Sequence, residues 1–86
     1  MSARDFDWAA GVLRSVVMDC EGLLPATDVA NIWEFVDVGE LGLAFETLCT
    51  QLYEYEAAVN AEVLRSLGEL REYFGLDSRL WLDLEG

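Results

Sequence analysis

Apolar residues recur along the chain at spacings of four and three, which is the period of an α-helix buried on one side. The clearest stretch runs from Asp37 to Tyr55. Its apolar positions are Leu41, Phe45, Leu48, Leu52 and Tyr55. All five fall on one side of a helix, and Ala44 and Cys49 widen that stripe. We expect this helix to form the centre of the core. Gly39 suits the left-handed residue that ends a preceding helix, and Gly42 suits a close approach by another backbone.

The same period predicts a helix on either side of this stretch. The first runs from about Asp5 to Cys20, with Ser2 or Asp5 as its N-terminal cap. The second runs from Val29 to Val38, after a turn at Pro25, and takes its cap from Thr27 or Asp28.

Two more helices are predicted after the central one. A fourth begins after a cap at Asn60, runs to Phe74 and stops at Gly75. A last short helix spans Arg79 to Leu84. Alternation of period two is absent over any useful length, so no sheet is expected. The prediction is therefore an all-α fold, a small antiparallel bundle of four helices plus a short C-terminal helix, forming one domain over residues 1–86.

Charge narrows the choice of partners. The chain contains 17 acidic residues and five basic ones, all arginine, which give a net charge of −12. Between Arg14 and Arg65 there are ten acids and no base. Such a field repels nucleic acid and anionic lipid and attracts basic proteins, so neither nucleic acid nor membrane is expected as a partner. A merely solubilising acidic surface is the other interpretation of this composition.

The side chains present argue against catalysis. The chain has no histidine and no lysine, and its serines and cysteines have no base at triad-like positions. No metal-ligand or phosphate-binding pattern is found, so no cofactor or metal is expected. Cys20 and Cys49 fall on apolar stripes and are expected to be buried, reduced thiols. Neither a signal peptide nor a membrane-spanning segment is recognised, which favours the cytoplasm.

A motif also marks the central stretch. It consists of Phe35-Val36, Gly39-Glu40, Gly42-Leu43-Ala44, Glu46, Leu48 and Leu52, flanked by Leu24-Pro25, Phe74-Gly75-Leu76-Asp77 and Trp81. This pattern, from Leu23 to Trp81, resembles that of the MafI-type immunity proteins. The resemblance implies a small bacterial protein that neutralises a toxin domain encoded beside it. The sequence departs from the pattern at Phe45, where a smaller aliphatic residue is expected.

Resemblance and charge together suggest a protein that blocks a basic, nucleic-acid-cleaving toxin domain by stoichiometric occlusion. Acids around tyrosines suit such a partner, because charge speeds encounter and buried aromatic rings slow dissociation. The candidate contact residues are Glu34, Asp37, Glu40, Glu46, Tyr53, Glu54, Tyr55 and Glu56. The alternative is a structural or regulatory helical module that acts through homo-oligomerisation. The free protein is expected to be a monomer or a weak homodimer.

Overall fold

A computed structural model describes residues 5–75 and places four α-helices there, with no strand among those residues. The helices are α1 (Phe6–Cys20), α2 (Ala26–Asp37), α3 (Leu41–Glu54) and α4 (Ala61–Phe74). A 3₁₀ turn, Glu21–Leu23, follows α1 directly. The all-helical class is confirmed. The short helix expected from Arg79 to Leu84 lies outside the described residues, and the antiparallel order of the helices stays a prediction.

Two helix starts carry the side-chain caps that the sequence predicts. The Asp5 carboxylate accepts a hydrogen bond from the backbone N–H of Trp8 at 2.9 Å. The Asn60 side-chain oxygen accepts one from the N–H of Val63 at 2.8 Å. Each bond satisfies a donor that has no partner inside its own helix, which stabilises such a start by about 1 kcal/mol.

The start of α2 differs from the prediction. Neither Thr27 nor Asp28 caps it, because the helix already begins at Ala26. Pro25 is the N-cap residue, with φ −59° and ψ 146°, and its carbonyl accepts the N–H of Val29 at 3.1 Å. The proline ring fixes φ near this value without any side-chain bond. Asp28 therefore lies in the first turn, where its charge suits the positive end of the helix dipole.

The end of α2 is a Schellman motif built on glycine. Gly39 has φ +81°, in the left-handed region, as the sequence predicts. Its N–H donates to the carbonyl of Val36 at 3.1 Å, and the N–H of Glu40 donates to Phe35 at 2.9 Å. These two bonds satisfy carbonyls that the last helical turn leaves open, and they reverse the chain within a few residues.

The end of α3 repeats this motif with glutamate in place of glycine. Glu56 has φ +48° and is the residue other than glycine that adopts a positive φ among residues 5–75. Its N–H donates to Tyr53 at 3.1 Å, and the N–H of Ala57 donates to Leu52 at 2.9 Å. A side chain with a Cβ is disfavoured in this conformation, so the motif is less stable here than at Gly39.

One hydrophobic cluster holds the four helices together. Helix α3 packs chiefly against α2, α1 packs chiefly against α4, and α1 also contacts α2 and α3. The side chains of α3 in this cluster are Leu41, Ala44, Phe45, Leu48, Cys49 and Leu52. Those of α1 are Ala9, Ala10, Leu13, Val16, Val17 and Cys20. Both cysteines are buried free thiols, as predicted. The central stripe is thus confirmed as core along α3.

Two expectations about this stretch are wrong. Tyr55 does not continue the buried stripe, because α3 ends at Glu54 and the Tyr55 side chain is 51% exposed. Gly42 does not admit another backbone. A Cβ added there would meet the ring of Phe74 at 4.0 Å, so the neighbour is a side chain of α4. At 4.0 Å a Cβ would be in ordinary van der Waals contact with that ring, so an alanine would also fit at position 42.

Candidate functional site

The candidate contact residues are all accessible. The structure leaves each of the eight exposed to solvent, as a docking surface requires. They are Glu34 and Asp37 of α2, Glu40 of the following turn, Glu46, Tyr53 and Glu54 of α3, and Tyr55 and Glu56 after it. Exposure alone does not place them on one face, because α2 and α3 each have more than one exposed side.

Part of the set lies on the side of α3 that faces α4. Positions 42, 46, 49 and 53 share one face of a helix, since they are spaced by four, three and four. The ring of Phe74 reaches this face at Gly42. Glu46 and Tyr53 therefore belong to the flank of α3 nearest α4. The Tyr53 side chain is 47% exposed there.

The other flank of α3 meets α2 at an open cleft. The cleft has a volume of about 360 Å³ and is lined by Asn31, Glu34, Phe35, Val38 and Thr47. Three α2 residues and the C-cap residue Val38 are spaced by three, one and three, so they form a single stripe along that helix. Phe35 is half-buried against the core, whereas Val38 is 70% exposed. The cleft therefore has an aromatic floor and an accessible aliphatic edge.

The predicted acids divide between these surfaces. Glu34 lines the cleft. Glu40 is the N-cap residue of α3 and lies two helical turns before Thr47. Asp37 lies one helical turn after Trp33, whose indole N–H donates to the Glu21 carboxylate at 2.9 Å. That side of α2 faces the 3₁₀ turn. The acids thus surround α2 and α3 on several sides and do not form one patch.

Tyr55 has a partner that the sequence does not reveal. Its hydroxyl hydrogen-bonds to the carboxylate of Asp28, and this bond is the main reason that the pKa of Tyr55 is raised above its ordinary value. The contact joins the residue after α3 to the first turn of α2. Because the ring remains 51% exposed, Tyr55 is an oriented aromatic side chain on the surface.

The two thiols are poor nucleophiles. Burial, with a smaller contribution from Asp19, raises the pKa of Cys20 to about 11. Burial, followed by the Cys20 thiol and Glu46, raises the pKa of Cys49 to about 12. Only the thiolate attacks electrophiles or binds metals, so at neutral pH neither side chain is reactive. Both thiols contribute to packing.

Two further kinds of feature are absent from the described part of the chain. Residues 5–75 contain no group of three or more histidine, cysteine, aspartate or glutamate side chains placed to hold a metal ion. Within the same residues, no helix is long and apolar enough to cross a membrane. The cleft and the exposed acids remain as the features that suit a macromolecular partner.

Sequence reasoning missed Asn31, Val38 and Thr47. The stripe from Asn31 to Val38 has helical spacing, but it combines two polar with two apolar side chains and so resembles ordinary surface. Thr47 joins it only through the packing of α3 against α2. No family model, curated protein or solved structure matches this chain.

Proposed function

We propose that this protein is an immunity protein, which binds and neutralises a cognate bacterial toxin domain by stoichiometric occlusion. The observation that carries the proposal is the uncompensated acidic surface. Ten acids and no base lie between Arg14 and Arg65, and nine of those acids are exposed. The resemblance to MafI-type immunity proteins supplies the biological setting. The charge supplies the physical reason why a basic protein would be the partner.

A nucleic-acid-cleaving domain is the partner that this surface suits best. Such a domain must attract phosphates, so its substrate groove carries arginine and lysine. An acidic helical surface competes with the phosphate backbone for the same groove. The resulting complex blocks substrate without any chemical step, which fits a protein acting in the cytoplasm of the toxin-producing cell.

Charge and aromatic side chains contribute differently to such a complex. Long-range attraction raises the association rate, and added salt screens it over about 10 Å at 0.1 M ionic strength. Tyr53 and Tyr55, 47% and 51% exposed, offer ring area that loses water on binding. Salt should therefore slow association with the toxin domain much more than it speeds dissociation.

The direct test is growth of cells that express the neighbouring toxin domain together with each variant. The parent should protect, and Glu46→Lys and Glu54→Lys should each protect less at matched expression. Asp19→Lys is the control, because Asp19 is exposed in the last turn of α1 and its reversal changes net charge equally. If the parent and both α3 variants protect equally, the surface that carries Glu46 and Glu54 is not the docking surface. Failure of the parent to protect would overturn the proposal.

A second candidate is a helical module that acts through homo-oligomerisation. The observation that favours it is the exposure of large apolar side chains, 63% for Met18 and 70% for Val38. Sedimentation over a wide concentration range separates the two candidates. A dimer stable at low micromolar concentration favours the module, whereas a monomer or weak dimer agrees with the immunity function.

A further inference from the structure

We infer that the cleft between α2 and α3 seats one apolar side chain of a basic partner, while Glu34 and Glu40 pair with cations on either side of it. The inference rests on the proposed function. It commits that function to one part of the acidic surface, the α2–α3 turn and the cleft beside it. Glu46 and Tyr53, on the opposite flank of α3, then add attraction and contact area at the edge of the interface, and the anchor lies in the cleft.

The cleft has the shape that an anchoring side chain needs. Its volume of about 360 Å³ exceeds the roughly 150 Å³ of an enclosed cavity that already holds a benzene ring. The half-buried ring of Phe35 belongs to the core cluster, so the floor is held in place by packing. Asn31 and Thr47 add hydrogen-bonding groups to the walls. A partner side chain entering here would lose water against a rigid aromatic surface.

Exposed apolar residues occur around the α2–α3 turn. Val38 and Leu43 are 70% and 46% exposed. Phe6 is 53% exposed, and its ring lies 4.0 Å from the point where a Cβ on Gly39 would be. Val38 lines the cleft, Phe6 lies beside Gly39, and Leu43 lies one helical turn before Thr47, so exposed apolar area surrounds this turn. Glu34 lines the cleft, Glu40 follows Gly39 at the start of α3, and the sequence has no basic residue from 15 to 64.

Charge selects the occupant. A second copy of this chain carries a net charge of −12 and would bring the same acids to the contact. Residues 76–86 contain three acids and one arginine, and they follow a helix whose Phe74 packs on the far flank of α3. Both would place negative charge beside Glu34 and Glu40. A partner with an apolar side chain between arginines or lysines would instead satisfy the acids and fill the cleft.

The test uses the full chain, labelled with ¹⁵N, and two synthetic peptides. Both are short arginine–lysine peptides capped at each end, one with a central phenylalanine and one with a central alanine. The phenylalanine peptide should shift the amide signals of Asn31, Val38 and Thr47 most strongly. It should bind about tenfold or more tightly than the alanine peptide, because only its ring is removed from water.

Matched variants assign the effect to the cleft. Val38→Ser removes exposed apolar area at the mouth and should bring the affinity for the phenylalanine peptide close to that for the alanine peptide. Met18→Ser removes a comparably exposed side chain from α1 and should change neither affinity. Since Val38 and Met18 are 70% and 63% exposed, both variants should keep the parent's amide spectrum elsewhere.

Several outcomes would overturn the inference. Equal affinity for the two peptides, or the strongest shifts at Glu46 and Tyr53, would show that the cleft holds no anchor. If the amide signals of the cleft residues shift when only the protein concentration is raised, the occupant is a second copy of this chain. If the amide signals of the cleft residues differ between the Trp81→Ser variant and the parent without peptide, the occupant is the chain's own C-terminal segment. Toxin protection is scored separately, so a protecting parent with a negative peptide result leaves the proposed function standing.

Discussion

Phe45 and Phe74 pack against each other with ring centroids 5.5 Å apart and an interplanar angle of 32°. Phe45 is 3% exposed and lies on the buried side of α3, and Phe74 is the last residue of α4. Gly42, one turn before Phe45, also lies beside the Phe74 ring. The aromatic residue at 45, which departs from the sequence pattern, thus packs against a second aromatic ring at the end of α4.

The two rings should be energetically coupled. Phe45→Leu and Phe74→Leu should each lower stability, and the double variant should lose less than the sum of the two. The expected coupling is about 0.5–1.5 kcal/mol, as for other aromatic pairs in contact. Denaturant unfolding of the four proteins in the cycle measures it. Strict additivity would mean that the contact contributes only apolar burial.

The buried face of α3 should dominate stability. Leu48 and Leu52 are both 0% exposed, so Leu48→Ala and Leu52→Ala should each cost about 2–5 kcal/mol. Leu43→Ala is the matched control on the same helix, because Leu43 is 46% exposed. Denaturant midpoints give the comparison. A control as damaging as the two core variants would contradict the assigned orientation of α3.

Local chemistry explains which parts of the fold the sequence predicts. Asp5, Asn60 and Gly39 act at helix ends through bonds or backbone angles within a few residues, so their roles can be read from the chain. The start of α2 was misplaced because Pro25 begins a helix through its fixed φ, with no side-chain bond to signal it. Tyr55 was misplaced because the apolar period continues past the point where the backbone at Glu56 ends α3.

Stability should fall in strongly alkaline solution, above about pH 9. In the unfolded chain the thiols ionise near their ordinary pKa of 9.0, whereas burial raises the pKa to about 11 for Cys20 and about 12 for Cys49. Because the folded pKa values are the higher ones, the thiol contribution is complete below pH 9 and is lost as pH rises from 9 toward 12. Each thiol should add a slope of about 1.4 kcal/mol per pH unit within that window.

Denaturant unfolding at several pH values tests this prediction. Cys49→Ala should begin from a lower stability and show a shallower alkaline slope than the parent. Native-state labelling gives an independent check, since both buried thiols should react with a thiol reagent only after denaturant is added. Rapid labelling at neutral pH, or an unchanged slope in the variant, would contradict the burial of these side chains.

Salt should stabilise the free protein. Asp19, Asp37 and Glu54 lie in the last turns of α1, α2 and α3, where no basic residue occurs and the helix dipole disfavours negative charge. Asp37→Asn should raise stability by about 0.3–1 kcal/mol and weaken the salt dependence. Glu62→Gln is the control, because Glu62 lies in the first turn of α4 and its charge is favourable there. Thermal midpoints that fall with added salt would contradict this account.

The cleft is a feature that the amino-acid sequence does not predict. The residues from Asn31 to Val38 have helical spacing but are half polar, and the α3 side contributes only Thr47, so neither side stands out as a binding surface in the sequence. The site exists only because α2 and α3 pack at a particular rotation about their axes. The eight predicted residues were accessible, but their division into separate flanks depends on that same rotation.

Glu56→Gly should make the protein more stable. The φ of +48° disfavours any side chain with a Cβ, so glycine should gain about 1 kcal/mol at this position. Glu56→Ala keeps the Cβ and removes the same charge, and it separates relief of the backbone from loss of the carboxylate. Equal midpoints for the two variants would assign the effect to charge.

The glutamate at position 56 has a consequence for how this chain could evolve. Glycine at position 56 would stabilise the end of α3, and the end of α2 already has glycine at the equivalent position, Gly39. If Glu56→Gly protects cells as well as the parent, position 56 is free to drift, and its glutamate has no selected role. If the more stable variant protects less, the carboxylate has been retained at the expense of stability, and the turn after α3 marks a place where selection favoured recognition over folding.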